Sequence, residues 1–229
     1  MKKNINTPQS YEEYMKKWTE LYEHANYDRG LTGFFLKKSH HWAEKAFNKK
    51  MKFDKVLEVG SGSGVHLEYV KHGFNEYYVT DLSEAFIKQA KQKCSDSRVF
   101  HKIEDASKLS FKSNSFDRLI AAHILEHMPD PHDVILEWTR VLKPGGILTI
   151  VLPCDPGVWW RLGRYVFARK PFIKAGIDYD YWMAREHINP INNLVSFIKA
   201  YFNDIEEYWK PLNIPFIDLN LFYIVHIRV

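Results

Sequence analysis

Residues 55–66, KVLEVGSGSGVH, admit few local folds. A short β-type apolar run, 55–59, leads into three glycines alternating with serines, Gly60, Gly62 and Gly64, and then into an amphipathic stretch, 65–70. The order is strand, glycine loop, helix start. Glycine there lets the backbone turn sharply and lets a ligand approach with no Cβ in the way. A plain turn between strand and helix would use the same glycines, so the following segments decide.

Residues 76–80 read as a second strand ending on Asp81, followed by a helix capped by Ser83. An acidic residue about twenty positions beyond a glycine loop, at the tip of the second strand, is where doubly wound sheets hold a nucleoside ribose. Residues 98–103 give a third strand ending at Glu104-Asp105-Ala106, and 115–124 a fourth. LEHMPDP, a helix over 133–142 and the turn Pro144-Gly145-Gly146 lead to a fifth strand, 147–152. A helix over 193–202 precedes the last two strands, 204–209 and 220–229. Alternating strands and helices predict an α/β fold with a parallel sheet and right-handed crossovers. Ligands then gather at the carboxyl ends of the strands, where Glu58, Asp81, Asp105, His123–His127 and Pro153–Asp155 all fall.

The loop departs from the dinucleotide fingerprint G-x-G-x-x-G, because Glu58 precedes it and its glycines fall as GxGxG. With EDASKLSFKSNSFDRLIAAHILEHMPDP and RVLKPGGILTIVLP downstream, residues 54–153 resemble the class I S-adenosylmethionine-dependent methyltransferases, of the small-molecule, type 11-like kind. The resemblance implies a doubly wound, Rossmann-like sheet of seven strands with helices on both faces. That sheet is mostly parallel, with an antiparallel last strand between the fifth and sixth. It implies S-adenosylmethionine as cofactor and S-adenosylhomocysteine as product. Cofactor-binding positions would be Glu58, Gly60, Ser61, Gly62, Gly64 and His66 near the loop, Asp81 and Leu82, Asp105 and Ala106, and His123. Asp105 would face the adenine amino group; as an acidic residue at a strand end it equally suits a turn cap.

At 229 residues the chain is long enough for one α/β domain with a sizeable core, and no linker or internal repeat divides it. A net charge of +4 is too small to argue for nucleic acid, and the fourth strand lacks the Asn/Asp-Pro-Pro-aromatic tetrad of base-amine methyltransferases. Cys94 and Cys154 form no metal spacing and no disulfide framework, and a reducing cytoplasm suits them. No metal cluster is expected, nor is a signal peptide or a run long enough to cross a bilayer.

Residues 1–51 read as helices with an aromatic stripe, Tyr14, Trp18, Tyr22. They either cover a sheet edge or form a lid over cofactor and substrate; a membrane-surface helix fits less well because Glu12, Glu13, Glu20 and Glu23 dilute its basic charge. Residues 154–192, rich in aromatics and arginines, read as an insert capping the pocket and selecting substrate.

A hydroxyl acceptor needs a base to take its proton during attack; an amine needs only its neutral form held in place. The base candidates are His123, His127 and His187, with Asp155 and Glu126 as partners. In related small-molecule O-methyltransferases a histidine at the place of His127 pairs with an acid at the place of Asp155. A feature of the turn after the fourth strand is the other reading of His127. Arg185 and His187, beside Tyr181 and Trp182, either clamp a polar substrate or end a salt-bridged surface helix. Arg161, Arg164, Arg169 and Lys170 either meet phosphate or form a solvated basic face. The expected activity is methyl transfer (EC 2.1.1.-) to a small-molecule acceptor, by O-methylation of a sugar or nucleotide-linked metabolite. The alternative is N-methylation of an amine or phospholipid headgroup, with peripheral membrane contact. The oligomeric state is not legible in the sequence.

Overall fold

The computed structural model describes residues 9–28 and 30–229. Residues 1–8 and 29 of the expected N-terminal lid lie outside the described residues. Seven strands form one sheet: β1 (Lys52–Val59), β2 (Gly73–Asp81), β3 (Val99–Ile103), β4 (Phe116–Ala122), β5 (Leu142–Pro153), β6 (Ile205–Lys210) and β7 (Phe222–Arg228). The order is β3-β2-β1-β4-β5-β7-β6. β7 runs antiparallel to both β5 and β6, while β1 to β5 pair in parallel. The doubly wound sheet with its last strand inserted between the fifth and sixth is as expected. Strand order reverses between β1 and β4, the place at whose carboxyl ends doubly wound sheets take their ligands.

Eight α-helices accompany the sheet among the described residues: α1 (Tyr11–Glu23), α2 (Gly30–Ala43), α3 (Glu84–Lys93), α4 (Pro131–Val141), α5 (Val158–Gly163), α6 (Arg169–Lys174), α7 (Tyr179–Glu186) and α8 (Ile191–Tyr201). Ser83 caps α3 by accepting from the Phe86 amide, as its sequence position predicts. The helix expected after the glycine loop is only a 3-10 turn, Val65–Tyr69. Residues 60–72 alone bridge β1 and β2, too few for a loop, a full helix and a return.

Successive strand residues face opposite sides of the sheet. Leu57, Leu119, Leu148 and Val225 point one way and pack with Trp138 of α4 and with Leu194 and Ile198 of α8. On the other side, Val56, Val79 and Ile120 meet Ala90 of α3, and Val151 and Ile224 meet Ala43 of α2. That second side also buries Glu58, Arg118, Thr149 and His226. A buried guanidinium needs a counter-charge, and residues just past α2 supply it. Glu44 accepts from Arg118 at 2.6 and 3.0 Å, while Arg118 stacks 3.5 Å over the Phe47 ring. Glu44 also accepts from His66 Nε2 at 2.9 Å, His66 Nδ1 pairs with His40 Nδ1 at 2.9 Å, and the Tyr27 hydroxyl meets His40 Nε2 at 3.1 Å. This chain of bonds ties α2 and the turn before it to the end of the glycine loop.

The N-terminal helix packs against the insert. Tyr14 stacks on Trp182 of α7 with centroids 4.2 Å apart, and Trp18 on Phe172 of α6 at 4.6 Å. Both partners are buried. Stacked aromatic pairs add about 0.5–1.5 kcal/mol each beyond the area they bury, so α1 and the insert hold each other in place.

Candidate functional site

β1 ends at Val59, and the glycine loop begins with two left-handed residues, Gly60 (φ 59°) and Gly62 (φ 54°). A Cβ at Gly60 would overlap the Ile124 side chain, while one at Gly62 would point at the Tyr22 ring of α1, 3.4 Å away. The loop is fastened by Ser61 N–H to the Thr80 carbonyl at 2.9 Å and by Gly62 N–H to Asp81 Oδ2 at 2.9 Å. Asp81 Oδ1 accepts from the Ser83 amide at 2.8 Å. Burial raises the Asp81 carboxyl above its ordinary range, against the pull of these two amides. Glu58, buried under the loop, accepts from the Tyr77 hydroxyl at 2.7 Å, and burial raises its carboxyl too. Asp105 Oδ1 accepts from the Ser107 amide and hydroxyl, so it does cap a turn; Oδ2 has no hydrogen-bond partner among the described residues. The Ala106 carbonyl takes the Trp138 indole N–H at 2.9 Å.

The imidazoles of two expected cofactor residues, one of them expected to act through its backbone, are engaged elsewhere. His66 spends both ring nitrogens on Glu44 and His40, beneath the loop. His123 has φ 57° and donates through Nε2 to Ser39 Oγ at 2.9 Å, since that hydroxyl itself donates to the Leu36 carbonyl. Its imidazole is thus bound to α2. Leu82 lies exposed on the rim.

A nucleoside cofactor fits what remains. Gly62 opens a cradle without Cβ beneath an aromatic ring, and Asp81 and Asp105 offer carboxylates from neighbouring strand ends. A buried oxygen, Glu126 Oε2, has no partner among the described residues. Burial raises the Glu126 carboxyl to about 7.

Past β4 and β5 the chain builds a second centre. Asp155 Oδ2 accepts from His187 Nδ1 at 3.0 Å and from Arg164 at 3.2 Å. Burial raises its carboxyl, but the His187 and Arg164 contacts outweigh that and hold it below the ordinary range. His127 donates through Nδ1 to the Glu186 carbonyl at 2.9 Å, and burial, then His187, pushes its pKa down to about 3. The two imidazoles lie edge to face with centroids 4.8 Å apart. Among the described residues neither Nε2 has a hydrogen-bond partner. The pairing of His127 with Asp155 expected from sequence gives way to His187 with Asp155, because α7 delivers His187 to the end of β5 while a backbone carbonyl engages His127. Asn189 fixes the arrangement by donating to the Met128 carbonyl at 2.6 Å and, through its amide, to Glu126 O at 3.1 Å.

A cavity of about 340 Å³ opens beside this centre, lined by Asp155, Arg164 and Tyr165 on one side and by Met183, His187 and Asn189 on the other. Of the four expected substrate residues it takes in His187. Trp182 is buried against Tyr14, and Arg185 lies outside, 5.3 Å over the Trp182 ring and donating to Tyr181. Glu126 is buried beside the second centre, its backbone carbonyl held by the Asn189 amide. The role of Asn189 follows from a chain crossing no motif encodes, whereas Tyr22 belongs to the aromatic stripe read from the sequence as a lid.

These buried imidazoles make acid costly. Burial lowers His72 and His226 to about 4 and His123 and His127 to about 3, and holds His40 well below the ordinary 6.5. A base with a depressed folded pKa gives stability present above its unfolded pKa and lost as pH falls below it. Melts are therefore expected to be flat above pH about 7 and to lose about 1.4 kcal/mol per pH unit per histidine below about 6.5. Glu126, raised to about 7, opposes this, as do Glu58 and Asp81, whose carboxyls burial also raises. Urea melts unchanged down to about pH 4.5 would contradict neutral burial of these rings.

Comparison with known proteins bears out the resemblance. Residues 57–150 match the family described as methyltransferase domain. A chloroplastic 2-methyl-6-phytyl-1,4-hydroquinone methyltransferase 1 of Oryza sativa subsp. japonica is 37% identical over 107 residues, covering 46% of this chain and 32% of the relative. The highly reducing polyketide synthase verA of Penicillium polonicum is 34% identical over 107 residues, 42% of this chain and 4% of the synthase. The chain thus spans less than a third of either relative. The N-methyltransferase NodS from Bradyrhizobium japonicum, solved with S-adenosylhomocysteine, superposes with a TM-score of 0.65 at 15% identity over 94% of this chain and 97% of that one. The CurJ carbon methyltransferase does so with a TM-score of 0.63 at 17% identity, over 93% and 58%. At such identity the likeness is one of fold. No helix among the described residues is long and apolar enough to cross a membrane.

Proposed function

We propose that this chain, whose residues 57–150 match a methyltransferase domain, transfers a methyl group from S-adenosylmethionine to a hydroxyl of a small-molecule acceptor. The observation that carries the reading is that two centres are built past the carboxyl ends of strands of one mostly parallel sheet. One is a glycine cradle flanked by Asp81 and Asp105, and the other is an Asp155-oriented imidazole facing a cavity. Bound there, the sulfonium cofactor supplies an electrophilic methyl group. Asp81 would hold the ribose hydroxyls, Asp105 Oδ2 the adenine edge, and Gly62 the close approach of the ligand. Tyr22 closes the cradle against water. Asp155 fixes His187 with its Nδ1 proton inward, leaving the Nε2 lone pair to take a proton from the acceptor. A neutral amine attacks without such a base, so the dyad favours a hydroxyl. Arg164 is spent on Asp155, and nothing in the cavity singles out a sugar or a nucleotide phosphate. The expected sugar or nucleotide-linked acceptor is therefore broadened to a hydroxyl-bearing small molecule.

Asp81→Ala tests the cofactor half. Loss of charge-assisted hydrogen bonds worth about 1.5–3 kcal/mol is expected to weaken S-adenosylhomocysteine roughly 10- to 100-fold in calorimetry. Wild-type protein that takes up no S-adenosylhomocysteine, or a variant that binds it equally well, would remove the reading. Labelled S-adenosylmethionine supplied with phenol, sugar and amine pools tests the acceptor half, and transfer to amines alone would refute the hydroxyl assignment.

A further inference from the structure

Residues 156–176, PGVWWRLGRYVFARKPFIKAG, contain five cations and no acid. In the structure they form one continuous helical arm, α5, a π-helical turn (Arg164–Ala168) and α6. Its inner side is anchored, with Phe172 buried and Trp160 edge-on to Phe222 at 5.7 Å. Its outer side is apolar: Val158, Leu162, Tyr165, Val166 and Ile173 are all exposed. Trp159 beside them is 51% accessible. The stripe continues onto neighbouring elements. The π-helical turn packs on α2, whose Phe34 is 53% accessible, and α5 packs on the turn Ile217–Leu219, next to the exposed Phe216. Folded proteins rarely leave a contiguous apolar surface of this kind to water.

Charge identifies what covers it. Arg164 and Arg169 are paired with Asp155 and Asp180, but among the described residues Arg161, Lys170 and Lys174 have no ion-pair partner. An exposed helix with an apolar stripe edged by unpaired cations and no acid is the pattern that lies in the headgroup layer of an anionic bilayer. The arm also forms one wall of the acceptor cavity through Arg164 and Tyr165.

We propose that the outer side of the α5–α6 arm, with Phe34, is a docking surface for an anionic lipid bilayer. The mouth of the acceptor cavity then lies at the membrane surface. Resting on the functional reading above, this makes the acceptor amphipathic, its hydroxyl head reaching His187 and its apolar tail remaining in lipid.

Co-sedimentation of the full chain with vesicles of phosphatidylcholine alone, or with one-third phosphatidylglycerol, tests the surface without reference to activity. Binding to the anionic vesicles is expected, weakening with salt, and little to the neutral ones. Each unpaired cation contributes about fivefold in affinity, so Arg161→Glu with Lys170→Glu is expected to lower binding at least tenfold. Leu162→Glu with Val166→Glu, exposed positions whose change leaves S-adenosylhomocysteine affinity intact, is expected to do the same. Absence of sedimentation, equal binding to neutral vesicles, or unchanged binding of these variants would each overturn the proposal. So would concentration-dependent dimerisation abolished by Leu162→Glu in a protein that ignores vesicles, which assigns the surface to a second copy. Calorimetry with S-adenosylhomocysteine on the same samples separates failure of this surface from failure of the cofactor site.

Discussion

His187→Ala is expected to lower kcat for a hydroxyl acceptor by about 10²- to 10⁴-fold, the usual contribution of a positioned general base, with S-adenosylhomocysteine affinity unchanged. The split follows from geometry. His187 reaches the cavity from α7, whereas the groups beside the glycine loop come from β1, β2 and α1. Asp155 is acceptor for both His187 Nδ1 and Arg164, so the proton-bearing nitrogen is fixed and Nε2 is left basic. Asp155→Asn removes that orientation and is expected to lose turnover nearly as far. His127→Ala is the control. Its Nδ1 proton is engaged by a backbone carbonyl and its basicity is depressed to about 3, so it is expected to lose less than about tenfold. Single-turnover rates beside calorimetry decide. A His187→Ala protein that turns over normally while His127→Ala does not would reverse the two assignments and restore the pairing that the sequence suggests.

That reversal marks where the sequence stops being informative. The glycine loop, Asp81 and the order of strands are legible because each depends on local chemistry: positive φ at Gly60 and Gly62, a carboxylate at a strand tip, period-two apolar runs. The choice between His127 and His187 is not local. It depends on how the insert folds back, and PGVWWRLGRYVFARK gives no clean period because a π-helical turn breaks the helical repeat at residues 164–168. Trp182 reads as a substrate contact and proves to be the stacking partner of Tyr14, from a helix 168 positions earlier. The aromatic stripe of α1 shows that something must cover it, but not what. Arg118 is the sharpest omission. Within FDRLIAAHI it looks like a polar break in a buried strand, and only the approach of Glu44 explains how a guanidinium is tolerated with no exposure.

Glu44→Gln is accordingly the substitution expected to damage stability most. It leaves the Arg118 guanidinium buried without a counter-charge and takes from His66 its ionised acceptor, a loss of about 3–5 kcal/mol. Against a typical total of about 5–15 kcal/mol, that brings the fold close to its threshold. Burial alone would raise the Glu44 carboxyl, but Arg118 and His66 overturn this and hold it far below the ordinary range. An acid with a depressed folded pKa gives stability present above its unfolded pKa and lost as pH falls through the folded one. The pair therefore persists through the range where the histidines titrate and fails only in stronger acid. Because Glu44 follows α2 directly, and α2 also carries the Ser39 that receives His123 and the His40 that meets His66, the damage reaches the glycine loop. Glu44→Gln is thus expected to weaken S-adenosylhomocysteine binding as well as to lower the urea midpoint. Arg118→Met combined with Glu44→Met removes both charges and is expected to recover much of the stability lost in Glu44→Gln, since a buried pair replaced by matched apolar volume is often neutral. It would not restore the acceptor of His66, so cofactor affinity should recover less than stability. A single variant that melts like wild type would show that the pair is solvated and that α2 is held by its apolar contacts alone.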